Sequence, residues 1–243
     1  MHELKFNNYE VVFFDVGDTL VGQEPGLYER FKLYCEKLGL NINMRDLVGA
    51  YEIAELWLNN KVNKLRTEPY QYIDIPKEIW WKYNMIILEN CGVVNDNLYS
   101  IARKIEEHFD EEMTTIGMKT YTHLYEDVRP FLERIKSSFP GKLGIISNAT
   151  ERIYSLLDFH DIRKYFDVVI ASYEVGIEKP GKKIFNTAVE RFNARPEKCL
   201  HIGNDPVCDY QGAKNAGLDA ILIDRTNKYP EFKGAKISSF SDC

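Results

Sequence analysis

Apolar and polar positions give this chain two textures. Five short runs are apolar on both faces and stop at polar or glycine-bearing turns: EVVFFD at 10–15, KLGIISN at 142–148, FDVVIAS at 166–172, KCLHIGND at 198–205 and DAILID at 219–224. Runs of this kind are strands covered on both sides, as in a parallel sheet. Between the last four, helical spacing predicts helices near 150–158, 181–193 and 206–216, with Gly217 as a C-terminal cap. The alternation predicts an α/β fold: a doubly wound, Rossmann-like core built on a parallel sheet.

Between residues 22 and 125 the pattern changes. FKLYCEKL, LVGAYEIAELWL, EIWWKYNMIILENC and NLYSIARKIEEHF repeat apolar positions every three or four residues, the spacing of amphipathic helices. Trp57, Trp80, Trp81 and many tyrosines share that spacing and are expected to pack together rather than to contact a cofactor. Glycine and proline punctuate both ends, in VGQEPG on entry and YEDVRP on exit. The expected organisation is a core over 1–21 and 126–243 that carries a helical insertion over 22–125.

Composition narrows the function. A chain of 243 residues is long enough to bury a full core. Its formal charge of −6, without any long lysine or arginine block, argues against nucleic acid or an anionic membrane surface as partner. No apolar run approaches the roughly 20 residues that cross a bilayer. MHELKFNNYE lacks the charged-then-apolar layout of a secretory signal, so a cytoplasmic location is expected. Cys35, Cys91, Cys199, Cys208 and Cys243 are odd in number and scattered, and read as ordinary thiols.

In a doubly wound sheet, ligands bind outside the carboxyl ends of the strands. The first run ends at Asp15, the second at Ser147 and Asn148, the third is followed by Lys179, and the fourth by Asn204, Asp205 and Asp209. Each has an ordinary explanation. Asp15 and Asp18 suit turns, Asn148 or Thr150 could cap a helix with Glu151 completing a box, Lys179 could be a solvated charge, and Asp205 before Pro206 suits an N-cap. Together they are the set that phosphoryl transfer through an aspartate requires. A carboxylate attacks phosphorus, Mg²⁺ held by it and a second acid offsets the repulsion between two anions, and a lysine with hydroxyl or amide donors holds the phosphoryl oxygens.

These residues resemble the motifs of the haloacid dehalogenase-like (HAD) hydrolases. DVGDTL is similar to the first motif, ISN to the second, EKPGKKIF to the third and HIGNDPVCDYQGAKNAG to the fourth, over residues 10–21 and 126–225. The insertion sits where the helical-cap (C1) branch of that superfamily carries its cap. The resemblance implies a Mg²⁺-dependent phosphatase of a small phosphorylated metabolite. It makes Asp15 the nucleophile, Gly17 a backbone-carbonyl ligand of the metal, and Thr19 a support of the nucleophile loop. Ser147 and Asn148 would lie at the phosphate, and Lys179 would neutralise Asp15 and the phosphoryl group. Asn204 or Asp205 would complete the metal site, with Asp209 behind it.

The sequence departs from that pattern twice. The family's phosphatases carry an acid–base aspartate two residues after the nucleophile, where this chain has Gly17 and then, one residue late, Asp18 as the catalytic candidate for that role. In the fourth motif the metal-binding acid directly follows the glycine, where this chain has Asn204 and then Asp205. Two alternatives follow: a metal-free 2-haloacid dehalogenase, with Arg30 or Arg45 as its cap arginine, or a phosphate-binding protein that has lost turnover.

Overall fold

The first apolar run forms strand β1 (Val11–Phe14), and all four of its side chains are buried. They are divided by the strand's period of two: Val12 and Phe14 join one apolar cluster, Val11 and Phe13 another. Covering both faces is what a run without polar alternation requires. The computed structural model describes residues 6–112 and 114–243. They fall into two units, one taking the chain as far as Gly22, Tyr70–Tyr72 and His123–Cys243, the other Gln23–Pro69 and Ile73–Thr122.

Two short strands, β2 (Val21–Gln23) and β3 (Thr122–Leu124), pair with each other where the chain leaves and re-enters the first unit. The first unit's sheet adds β4 (Lys142–Ser147), β5 (Val168–Ala171), β6 (Cys199–Gly203), β7 (Asp219–Ile223) and β8 (Lys236–Ile237). The order is β5-β4-β1-β6-β7-β8, and every pair is parallel. This is the expected doubly wound α/β core. Phe14 stands opposite both Ile145 and Ile202, so the residues that follow β1, β4 and β6 emerge side by side. The order of connection reverses at β1, which makes this the crevice where such sheets bind ligands.

In the second unit the predicted helices are α1 (Leu27–Lys37), α2 (Met44–Leu65), α3 (Lys77–Asn90) and α4 (Leu98–Glu112). Asn43 caps α2 by accepting from Arg45 N–H at 2.8 Å. Phe31, Tyr34, Leu47, Tyr51, Ile87 and Ile105 fill the core between these helices, with Trp57 and Trp80 partly buried against it. Trp81, also half-buried, packs edge-on to Tyr99 and under Arg103. A fifth helix, α5 (Thr115–Tyr121), follows. No helix among the described residues is long and apolar enough to cross a membrane.

The first unit adds α6 (Val128–Ser138), α7 (Arg152–Phe159), α8 (Ser172–Val175), α9 (Lys182–Arg191) and α10 (Gly212–Asn215). Pro130 obscures α6 in the sequence, yet it lies in the first turn, where its missing N–H has no partner to lose. The helix expected at 206–216 opens as a π-helix over Pro206–Gln211. Its cause is the bond from Tyr210 N–H back to Asp205 O at 3.1 Å, which widens the turn. Gly217 ends the segment at φ +89°, the left-handed geometry foreseen for a cap.

Phe240 is fully buried and stacks on Phe131 with ring centres 4.5 Å apart, closing the core beside Phe14. Phe240→Ala should therefore cost about 3–5 kcal/mol in urea unfolding. A loss below 1 kcal/mol would mean that this corner of the core is not packed as described.

Candidate active site

Four chain segments converge at the carboxyl ends of β1, β4 and β6, and the group at their centre is the Lys179 ammonium. Lys179 is 5% exposed. Its Nζ donates to Asp15 Oδ1 at 2.6 Å, to Asp209 Oδ1 at 2.6 Å and to the Ile146 carbonyl at 3.0 Å. All three ammonium protons are used. Burial works against the charge, but the two carboxylates outweigh it and hold the lysine above its ordinary range.

Asp15 is buried and anchored by its own N–H to Ile202 O at 2.9 Å. Its Oδ1 accepts from Ser147 Oγ at 3.1 Å as well as from Lys179. Its Oδ2 has only a long contact, 3.4 Å, from the Thr19 hydroxyl. That same hydroxyl lies 3.5 Å from Asn204 Oδ1, so a carboxylate oxygen and an amide oxygen flank one point. Burial pushes the Asp15 carboxyl up, with Lys179 opposing and Asp209 adding to the rise.

Asp209 is placed by the π-turn and by Gly203. A Cβ at Gly203 would stand 2.2 Å from Asp209 Cγ, so the strand end must be glycine for the carboxylate to lie over it. Asp209 Oδ2 accepts from Asp205 N–H at 2.9 Å, and its Oδ1 meets His201 Nε2 at 2.9 Å. Burial alone would raise this carboxyl, but Lys179 and His201 hold it well below the usual carboxylate range. With Asp209 ionised, Nε2 is the protonated ring nitrogen of His201, and Nδ1 is left buried with no partner.

The other expected site residues lie as follows. Asn148 does not cap a helix; its side-chain amide accepts from Lys179 N–H at 2.7 Å and donates to Lys179 O at 3.0 Å, clasping the lysine's backbone. Asp205 Oδ1 accepts from the N–H groups of Val207 and Cys208, both at 2.7 Å, and so caps the following turn. Asp18 is exposed, with a left-handed backbone at φ +53°. Gly17 is exposed, outside the left-handed region, and has open space where a Cβ would be. Arg30 is buried in the second unit, paired with Glu112 and donating to Pro25 O and Gln23 Oε1, while Arg45 is exposed.

Sequence reasoning missed His201 and Arg225. A histidine inside an apolar strand needs a polar partner, and that requirement was available in KCLHIGND. Arg225 follows DAILID, at the kind of strand end that drew attention to the other residues. Its guanidinium donates twice to the Thr19 carbonyl. Among the described residues no group of three or more His, Cys, Asp or Glu is placed to hold a metal.

A family model described as haloacid dehalogenase-like hydrolase matches residues 9–217. The chain belongs to this family. It is 36% identical to a glyceraldehyde 3-phosphate phosphatase of Methanothermobacter thermautotrophicus, over 62% of this chain and 70% of that one. It is 44% identical to the Rhythmically expressed gene 2 protein of Drosophila melanogaster, over 59% of this chain, spanning only 56% of that protein's length. A magnesium-bound HAD-hydrolase of Bacillus subtilis, YfnB, superposes with a TM-score of 0.69 over 96% of both chains. At 20% identity that likeness speaks for the fold alone.

A lysine buried this deeply keeps its charge only while both carboxylates face it. Lys179→Met should leave Asp15 and Asp209 buried without their cation and cost roughly 3–5 kcal/mol at neutral pH. In the wild type, Asp209 contributes stability that is present above its unfolded value of about 3.9 and lost as pH falls through its lower folded value. In the variant both carboxyls are raised, so their contribution is present below about 3.9 and lost as pH rises through the folded values. Urea titrations at pH 5 and pH 8 should show the deficit shrinking on acidification. An equal deficit at both would disprove the charge account.

Proposed function

We propose that this hydrolase is a Mg²⁺-dependent phosphatase of a small phosphorylated metabolite, working through an aspartyl-phosphate on Asp15, with the helical unit as its cap. The observation that carries this reading is the asymmetry of the Asp15 carboxylate. Oδ1 is held by Lys179 and Ser147, while Oδ2 has only the long Thr19 contact. That leaves Oδ2 as the side of the carboxylate open to an incoming phosphate ester and its cation. The resemblance to a glyceraldehyde 3-phosphate phosphatase supports a small phosphate ester as substrate.

The donor set fits a hard cation of modest demands. Asp15 Oδ2 and Asn204 Oδ1 flank the Thr19 hydroxyl, and the Gly17 carbonyl is a further oxygen in the same loop. Mg²⁺ binds through one or two carboxylates and keeps several waters, so one acid and an amide oxygen suit it better than they would a metal needing a full protein cage. Asp205 is the poorer ligand, because two backbone N–H groups already occupy its Oδ1. Bound there, the cation would screen the repulsion between Asp15 and the phosphate dianion.

Asp15 then attacks phosphorus as the bond to the leaving oxygen breaks, and, with Gly17 offering no acid, the leaving oxygen takes its proton from solvent. Water next attacks the phosphorus of the aspartyl-phosphate, the bond from phosphorus to the Asp15 oxygen breaks and the water's proton passes to solvent, releasing inorganic phosphate and restoring the Asp15 carboxylate. The Lys179 and Ser147 protons that Asp15 Oδ1 accepts in the resting site would turn to the phosphoryl oxygens as Asp15 loses its charge on attack. The dehalogenase alternative requires a cation for the substrate's carboxylate. Arg30, already paired with Glu112 and bonded to Pro25 and Gln23, is poorly suited to that role.

A panel of phosphate esters should be turned over only with Mg²⁺, and Asp15→Asn should fold normally while losing more than 95% of turnover, of order the loss seen when a nucleophile is removed. Full activity in excess chelator, or in Asp15→Asn, would sink the proposal. With Gly17 in place of the acid–base, hydrolysis of the phosphoenzyme lacks a contribution of about 10²–10⁴-fold, and rapid-quench mass spectrometry should find the adduct on Asp15 in steady state. Open space and ordinary φ at Gly17 allow Gly17→Asp without strain. That variant should turn over faster and carry less adduct; an unchanged adduct level would show that another group already serves as the base.

A further inference from the structure

Arg225 stands two residues beyond β7, outside the expected chemistry, yet three fixed contacts define its position. Nε–H and Nη2–H donate to the Thr19 carbonyl at 3.1 and 2.8 Å. Nη1 donates to Asp127 Oδ2 at 3.0 Å, in an ion pair whose two side chains are each 11% exposed. The guanidinium carbon lies 3.9 Å from the centre of the Tyr125 ring. A planar fork meets these directions together; a flexible ammonium does not.

The carbonyl it holds belongs to a loop that needs holding. The N–H groups of Thr19, Leu20 and Val21 all turn back onto Val16 O, and Asp18 between them takes φ +53°. A non-glycine residue in that region costs of order 1–3 kcal/mol and persists only where its surroundings enforce it. The Thr19 hydroxyl is also the group between Asp15 Oδ2 and Asn204 Oδ1. A shift of the Thr19 peptide therefore reaches the Asp15 carboxylate through one residue.

Arg225 joins two crossings of the chain at this point. Thr19 lies just before β2, on the way out of the first unit, while Tyr125 and Asp127 lie just after β3, on the way back. Tyr125 N–H donates to Leu20 O at 3.2 Å, and Asp127 Oδ2 also accepts from Phe240 N–H at 2.6 Å, which ties the pair to the core.

We infer that Arg225 is a positioning residue: it latches the outgoing and returning crossings to the end of β7, so that the Thr19 hydroxyl and Asp15 keep their places during turnover. Its effect on turnover rests on the phosphatase reading of Asp15. Its effect on the order of the loop does not. The two halves are therefore measured separately.

Arg225→Lys and Arg225→Gln are compared with wild type by hydrogen exchange over residues 16–21 and by steady-state kinetics on a phosphate ester. Should Arg225→Gln fail to fold, Arg225→Lys and Asp127→Asn supply the comparison. Expected are exchange at those amides faster by about tenfold or more, and kcat lower by roughly 10–100-fold with KM little changed. The lysine should not rescue either, because it cannot span both Thr19 and Asp127. Wild-type exchange in the folded Lys variant overturns the inference. So does faster exchange with kcat within twofold of wild type, which is what a merely stabilising arginine would give. If wild type hydrolyses no phosphate ester, the reading of Asp15 fails, and exchange alone decides for or against the latch.

Discussion

The rest of the active end depends on one buried cation. Lys179 exchanges its hydration for three acceptors drawn from three parts of the chain, the carboxylate of Asp15, the carboxylate of Asp209 and the carbonyl of Ile146. Removing any of the three would leave a buried charge undersatisfied.

The lysine also explains features that are remote from it in sequence. Gly203 is small because Asp209 must lie against it, and the π-turn from Pro206 to Gln211 turns that carboxylate toward the ammonium. His201 shares Asp209 with Lys179, and the lysine first and the histidine after it hold that carboxyl below its usual range. On the other side, Tyr72 N–H donates to Gly176 O at 2.8 Å and Glu178 N–H to Tyr70 O at 2.7 Å, so a three-residue excursion of the chain braces the loop leading into Lys179. Asn148 holds the same residue by its backbone. A side chain buried this deeply needs its backbone fixed from both sides.

The two acids that stand one residue late follow a common logic. Asp205 does not slide into the place of Asn204, because the first free N–H groups of the next turn compete for its oxygen. Asp18 sits in the left-handed corner of a tight loop, while Gly17 before it occupies ordinary backbone with room for a side chain. Each of these acids is therefore held by backbone bonds different from those of the residue before it. The backbone around each position decides which oxygen is free.

Local pattern determined a good deal of this protein. The doubly covered strands, the helical insertion and the strand ends at Asp15 and Ser147 follow from periodicity, because hydrophobic burial is proportional to area and each element must hide its own apolar face. The tertiary structure alone decided the pairings. That Asp209 and Asp15 share Lys179, that Asn148 clasps a backbone instead of capping a helix, and that Asp205 caps a turn all depend on hydrogen bonds whose worth falls steeply with distance and angle. His201 and Arg225 stayed hidden for the same reason. Their partners, Asp209 and the Thr19 carbonyl, become neighbours only when parallel strands bring distant loops to one edge of the sheet.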